Sequence, residues 1–235
     1  MVLAFNRTGI FRDDLSFWQA SVKSSPRSAL ALNGLGTALS RRGDLAGAES
    51  SYLAALKADR SFIRAKFNLG TLYLRSGRPD QARILLEEII QNLTGFPEAS
   101  YNLGQANQQL GRLEPAAGNY RDELKRKSDH YGALVSLGAL LHQGREPQAA
   151  AAYYLKAMAS DSGRPEAYIN LAVLRQQQGR YHEAESYYIR AITLDPGRVE
   201  AYQNLCQLYR KQGREAELKK CLSALEAVKT SRTER

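Results

Sequence analysis

Long apolar runs are missing from this 235-residue chain. No stretch approaches the roughly 18 to 20 consecutive apolar residues that a bilayer-spanning helix needs. Met1-Val-Leu-Ala-Phe5 is too short for a secretory hydrophobic region, with Asn6-Arg7 following at once, so the expectation is a soluble segment with no membrane insertion. Cysteine is scarce. Cys206 and Cys221 are too few for a disulfide framework and lack Cys-x-x-Cys spacing. The histidines His130, His142 and His182 have no cysteine, carboxylate or second histidine at metal-ligand spacing, and no glycine-rich phosphate loop, nucleophile elbow or HExxH motif occurs. These gaps argue against metal, nucleotide and hydrolase chemistry, and the expectation is no enzyme, no metal and no cofactor. What remains, 43% apolar and 24% charged residues, is the composition of an ordinary folded chain.

Compared with itself, the chain repeats. A small residue (Gly36, Gly70, Gly104, Gly138, Ala172, Cys206) recurs at steps of 34, each preceded by a leucine (Leu35, Leu69, Leu103, Leu137, Leu171, Leu205). Twelve residues after each stands Ala48, Ala82, Ala116, Ala150, Ala184 and, exceptionally, Leu218. Four further on come Tyr52, Leu86, Tyr120, Tyr154, Tyr188 and Leu222. The spacing inside each unit is helical: Tyr168, Leu171, Ala172 and Arg175 on a first segment, Ala184, Tyr188 and Ala191 on a second. Each unit therefore reads as two helices, with a glycine between them (Gly43, Gly77, Gly111, Gly144, Gly179, Gly213) to end the first in a left-handed conformation. The prolines agree. Pro79, Pro115 and Pro147 fall in the first turn of a second helix, Pro97 and Pro165 open a first helix, and Pro26 and Pro196 lie between units. One helix pair leaves an apolar face bare, which stacking covers, so the pattern predicts an all-α solenoid of antiparallel helix pairs.

The pattern Tyr168-x2-Leu171-Ala172, then Gly179, Ala184, Tyr188, Ala191 and Pro196, resembles the tetratricopeptide repeat (TPR). The resemblance covers residues 29–232 as six repeats, 29–62, 63–96, 97–130, 131–164, 165–198 and 199–232, and implies a right-handed superhelix. Residues 1–28 match half a repeat, with Trp18 in the aromatic register and Gly9 in the glycine register, and read as a capping helix; 233–235 read as a frayed tail. Phe17-Trp18 followed by Ser25-Pro26 and the repeats also resembles the junction before the soluble TPR tail of polytopic glycosyltransferase-like membrane proteins. On that alternative the chain recruits substrate for a larger enzyme, and its compartment stays open. At the other end Leu218, Leu222 and Leu225 form an apolar stripe, which reads either as a poorly capped last helix or as an exposed patch for self-association or a missing continuation.

In TPR proteins positions 2, 5, 6, 9, 12 and 13 of a unit face a concave wall, which directs attention to Asn68, Asn102, Asn170 and Asn204 at position 6, with Gly34 and Ser136 in the other two units. An amide carries donors and an acceptor, so a row at repeat spacing can grip the backbone of an extended peptide. The row resembles the asparagine ladder of O-GlcNAc transferase. Around it stand Arg64, Phe67, Thr71, Tyr101, Gln105, His142, Ile169 and Gln203. Phe67, Tyr101 and Ile169 read either as pockets for ligand side chains or as packing between first helices. The implied partner is a protein or peptide segment. The net charge of +9 is diffuse, with Arg78, Arg112, Arg145, Arg180 and Arg214 in inter-helix turns on a solvated edge, which argues against nucleic acid. Two residues fit the pattern poorly. Cys206, at a buried small position, reads as a quiet core thiol, with pairing to Cys221 left open. Glu123, where an alanine is expected, demands either an outward-turned helix or an answering base among Lys125, Arg126 and Lys127.

Overall fold

The computed structural model describes residues 10–93 and 95–233, and the side chains of 14–93 and 95–231; Gly9 and the last two residues of the expected tail lie outside these. The described residues form thirteen helices and no strand. The chain divides into two compact units, one up to Asn119 and one from Tyr120 onward. In the first lie α1 (Ile10–Ser24), α2 (Ala29–Arg41), α3 (Leu45–Ala58), α4 (Ile63–Arg75), α5 (Pro79–Asn92) and α6 (Ala99–Gln109). The division falls within α7 (Leu113–Arg126), and the second unit continues with α8 (Tyr131–Gln143), α9 (Pro147–Ser160), α10 (Pro165–Gln177), α11 (Tyr181–Leu194), α12 (Val199–Lys211) and α13 (Glu215–Thr233).

From α1 to α6 and from α8 to α13 each helix packs on the next, and alternate helices touch as well: α2 on α4 and α4 on α6 in the first unit, α8 on α10 and α10 on α12 in the second. The hairpins close on the small-residue spacing. Ala48, Ala82, Ala150 and Ala184 are fully buried, and Tyr52, Leu86, Tyr154 and Tyr188 fill the space beside them. A leucine buried as Leu86 is contributes on the order of 2 kcal/mol. Helix starts are set by local chemistry: Ser28 accepts from the Ala31 amide at 3.2 Å, Asp44 from that of Gly47 at 2.9 Å, and the His130 ring from that of Ala133 at 3.1 Å.

Three local expectations need correction. Pro97 does not open a helix: α6 starts at Ala99, after Glu98 with φ of +61°, so the connection from α5 is longer than its counterparts. Gly144 does not take the left-handed conformation either. It comes one residue early in the repeat, its φ is −72°, and Arg145 adopts φ of +63° instead. A side chain there is strained by about 1 kcal/mol. Arg145→Gly is expected to raise stability by about that amount, read from the midpoint of urea unfolding; an unchanged or lower midpoint contradicts the assignment. Finally, Cys206 is not a free thiol but is joined to Cys221 in a disulfide linking α12 to α13.

The leucines of α13 do not form a continuous exposed stripe. Leu218 and Leu225, seven residues apart, face α12 and are each 7% exposed, while Leu222 points outward at 40%. Glu123 takes the second of its two options. Its side chain is 1% exposed, one carboxylate oxygen is held by Arg126, and the other is buried without a hydrogen-bond partner.

Candidate functional site

In the first unit the expected amide row lies where α2, α4 and α6 meet, and its donors are spent within the protein. Asn68 Nδ2 donates to Asn33 Oδ1 at 2.9 Å and to Thr37 Oγ1 at 3.4 Å. Asn102 Nδ2 donates to Thr71 Oγ1 at 3.1 Å, and the Thr71 hydroxyl donates in turn to the Phe67 carbonyl. Residue i therefore meets residue i+35 or i+31 of the next first helix. Gly34 breaks the row for a steric reason. A Cβ there would stand 2.3 Å from the Trp18 indole, which covers this part of α2 and is fixed by donation from its Nε1 to Asp14 at 2.7 Å.

The flanking positions divide into packed and exposed groups. Phe67 is half-buried against Phe96, the ring centroids 5.1 Å apart, so the long connection before α6 covers much of it. The Tyr101 hydroxyl accepts from Gln105 Nε2 at 3.1 Å, leaving both side chains partly accessible, and Arg64 is exposed.

The second unit differs. Asn170 and Asn204 are half-buried, and neither side chain hydrogen-bonds to any described residue. Asn170 lines a shallow recess of about 360 Å³ together with Ala139, His142, Gln143, Tyr154 and Gln177. His142 Nε2 lies 2.7 Å from Gln177 Oε1, another pairing across 35 residues. Burial of the Tyr154 ring pushes its phenol up to about 12, so the hydroxyl stays neutral and able to donate at any physiological pH. Gln203 is exposed on α12, whereas Ile169, 1% exposed, belongs to the hydrophobic core and offers no pocket. Unspent hydrogen-bonding capacity thus concentrates on α10 and α12.

Two side-chain clusters escaped the sequence reading. Arg78 lies over the Tyr73 ring, 4.3 Å from its centroid, and grips Glu49 through two bonds of 2.6 and 2.9 Å. Arg214 does the same with Tyr209 at 4.5 Å and Glu185 at 2.7 and 3.1 Å, and the Tyr209 hydroxyl donates to Glu185. The arginine bonds hold Glu49 and Glu185 below the usual carboxylate range. These turn arginines are therefore not idle charges on a solvated edge. They bolt one hairpin to the one before it, and the only sequence signal is an arginine five residues after a tyrosine and 29 after a glutamate. Among the described residues no group of three His, Cys, Asp or Glu side chains is placed to hold a metal, and no helix is long and apolar enough to cross a membrane.

Comparison with known proteins adds the following. A tetratricopeptide repeat family model matches residues 165–198, and a second tetratricopeptide repeat model matches 16–61, 35–99, 67–121 and 101–165. No curated protein matches the chain. Among solved structures, a chain of the APC/C hetero-tetramer Cut9–Hcn1 aligns over 94% of this chain with a TM-score of 0.81 and 15% identity; this chain spans only 44% of its length. A tetratricopeptide repeat protein from Parabacteroides merdae aligns over 86% of this chain and 79% of its own, with a TM-score of 0.69 and 24% identity. YrrB, described as a TPR protein with an unusual peptide-binding site, covers 80% of this chain and 96% of its own at a TM-score of 0.61 and 18% identity. At these identities the likeness is one of fold.

Proposed function

The chain belongs to the tetratricopeptide repeat family, and from that premise we propose that it is a non-catalytic scaffold holding an extended segment of another protein against the faces of its first helices. Tetratricopeptide repeat proteins generally mediate protein–protein interactions. The proposal includes six repeats over residues 29–232, preceded by a capping helix within 1–28. The observation that carries it is the pair Asn170 and Asn204. These are two half-buried amides, 34 residues apart on neighbouring first helices, whose donors and acceptors meet no described residue. An extended backbone presents amide groups able to satisfy both, and Tyr154, His142 and Gln177 add donors and acceptors beside the first of them. The peptide-binding site described for YrrB, which shares this fold, is in keeping with such a use.

Such a grip is tolerant of sequence, so the test starts from a random peptide library. A peptide selected on the native protein is expected to bind the Asn170→Ala, Asn204→Ala double variant at least about tenfold more weakly by fluorescence anisotropy, with helicity by circular dichroism unchanged. Unchanged affinity would retire the proposal. Asn102→Ala serves as the contrast. Its amide already serves Thr71, so its loss is expected in stability, on the order of 1 kcal/mol, rather than in binding.

A further inference from the structure

The last hairpin is built differently from the others. In α2–α3, α4–α5, α8–α9 and α10–α11 a glycine or alanine on the first helix faces a buried alanine on the second, and a buried tyrosine or leucine four residues later closes the pair. In α12 and α13 all three positions change, to Cys206, Leu218 and Leu222, and Leu222 has turned out into solvent. Leu218 and Leu225 still pack on α12, but the residue that closes the other pairs has left the interface, and a disulfide between Cys206 and Cys221, 15 residues apart, is added beside it. The crosslink is largely buried, Cys206 being 4% and Cys221 7% exposed, and the side that borders open space is that of Cys221. Cys221 lines a recess of about 320 Å³ between α11 and α13, floored by Tyr202, Leu205 and Tyr209 of α12.

We propose that Cys206–Cys221 is a thiol–disulfide exchange site whose redox state decides whether α13 stays docked on α12. The co-reactant is a dithiol. One of its thiolates enters the recess and attacks the Cys221 sulfur, the Cys206–Cys221 bond breaks, and Cys206 leaves as a thiolate that takes up a proton. The second thiol then displaces Cys221 from the mixed disulfide. Two electrons and two protons pass from the dithiol, which becomes a disulfide, to the two cysteines. With the bond open, the contacts left to α13 include those of Leu218 and Leu225 with α12, and Arg214, just before its first residue, still holds Glu185 of α11. In a repeat array each element is held mainly by its neighbours, so the loosening stays confined to this end.

Hydrogen exchange followed by mass spectrometry on the full chain, oxidised with glutathione disulfide and then reduced with dithiothreitol, tests this. The oxidised protein is expected to show no free thiol and a protected α13. After reduction two thiols titrate, and exchange in residues 215–233 is at least about tenfold faster while residues 63–93 are unchanged. The variant Cys206→Ala, Leu218→Ala, Leu222→Tyr rebuilds the packing of the other hairpins, and its α13 is expected to stay protected with or without dithiothreitol. Equal protection of α13 in the oxidised and reduced protein, free thiols after oxidation, loss of protection along the whole chain, or a rebuilt variant as labile as the reduced protein would each overturn the proposal.

Discussion

Arg126→Ala is expected to lower stability by about 3 kcal/mol, whereas Glu123→Ala leaves it unchanged or raises it. The two residues form one ion pair, but their surroundings differ. The Glu123 side chain is 1% exposed, while that of Arg126 keeps 33% of its surface in water. Without Arg126 the carboxylate is left charged, buried and unanswered, having already one oxygen without a partner. Without Glu123 the guanidinium turns to solvent, and an alanine occupies a position where Ala55, Ala157 and Ala191 are fully buried in other hairpins. Urea unfolding of both variants checks this. A clear loss for Glu123→Ala would mean that the carboxylate is a net stabilising element of its helix.

The second large effect concerns hairpin spacing. At Gly138 an added Cβ would lie 2.7 Å from the Tyr154 ring, and at Gly36 the same distance from that of Tyr52. At Gly70, which faces Leu86, the nearest side-chain atom is 3.3 Å away. Gly36→Ala and Gly138→Ala should therefore each cost about 2 kcal/mol through overpacking. Gly70→Ala should stay within about 1 kcal/mol of the native protein, because the better helix propensity of alanine offsets a contact that is only slightly tight. Equal losses at all three positions, measured by the same unfolding experiment, would show that the facing ring does not set the tolerance. The hairpin with Ala172 opposite Tyr188 shows that the cost at Gly36 and Gly138 comes from where the ring lies in those two hairpins and not from a facing tyrosine as such. It accepts a methyl group, and the Tyr188 hydroxyl is anchored to Gln176 at 3.0 Å.

These contacts also explain what could be read in advance. The close approach of Gly36 to Ala48 and Tyr52 repeats with the chain, so its steric demand is written at a fixed spacing that a single sequence displays. Interactions between neighbouring repeats leave a fainter mark. The bonds from Asn68 to Asn33 and Thr37 and from Asn102 to Thr71 turn part of the amide row into internal braces, and the mark that separates these from Asn170 and Asn204 is the residue 31 positions earlier, Thr37 and Thr71 against Ala139 and Val173. Arg78 and Glu49, 29 residues apart, meet only once two hairpins are stacked. The turn before α9 is a different case. The spacing of its glycine is visibly off by one, but which residue would absorb the positive φ depended on where α8 ended. The disulfide involves one repeat landmark, Cys206, whose small size packing already accounted for, so the sequence left its pairing with Cys221 open.

The most direct test of the peptide-scaffold account is an NMR titration of the native protein with a library-selected peptide, followed through the side-chain amide signals of its asparagines. The account predicts that the Nδ2 hydrogens of Asn170 and Asn204 shift on binding, while those of Asn68 and Asn102, already committed to Asn33, Thr37 and Thr71, move far less. Silent Asn170 and Asn204 signals, with shifts gathered instead around second-helix residues such as Leu155 and Ile189, would contradict it.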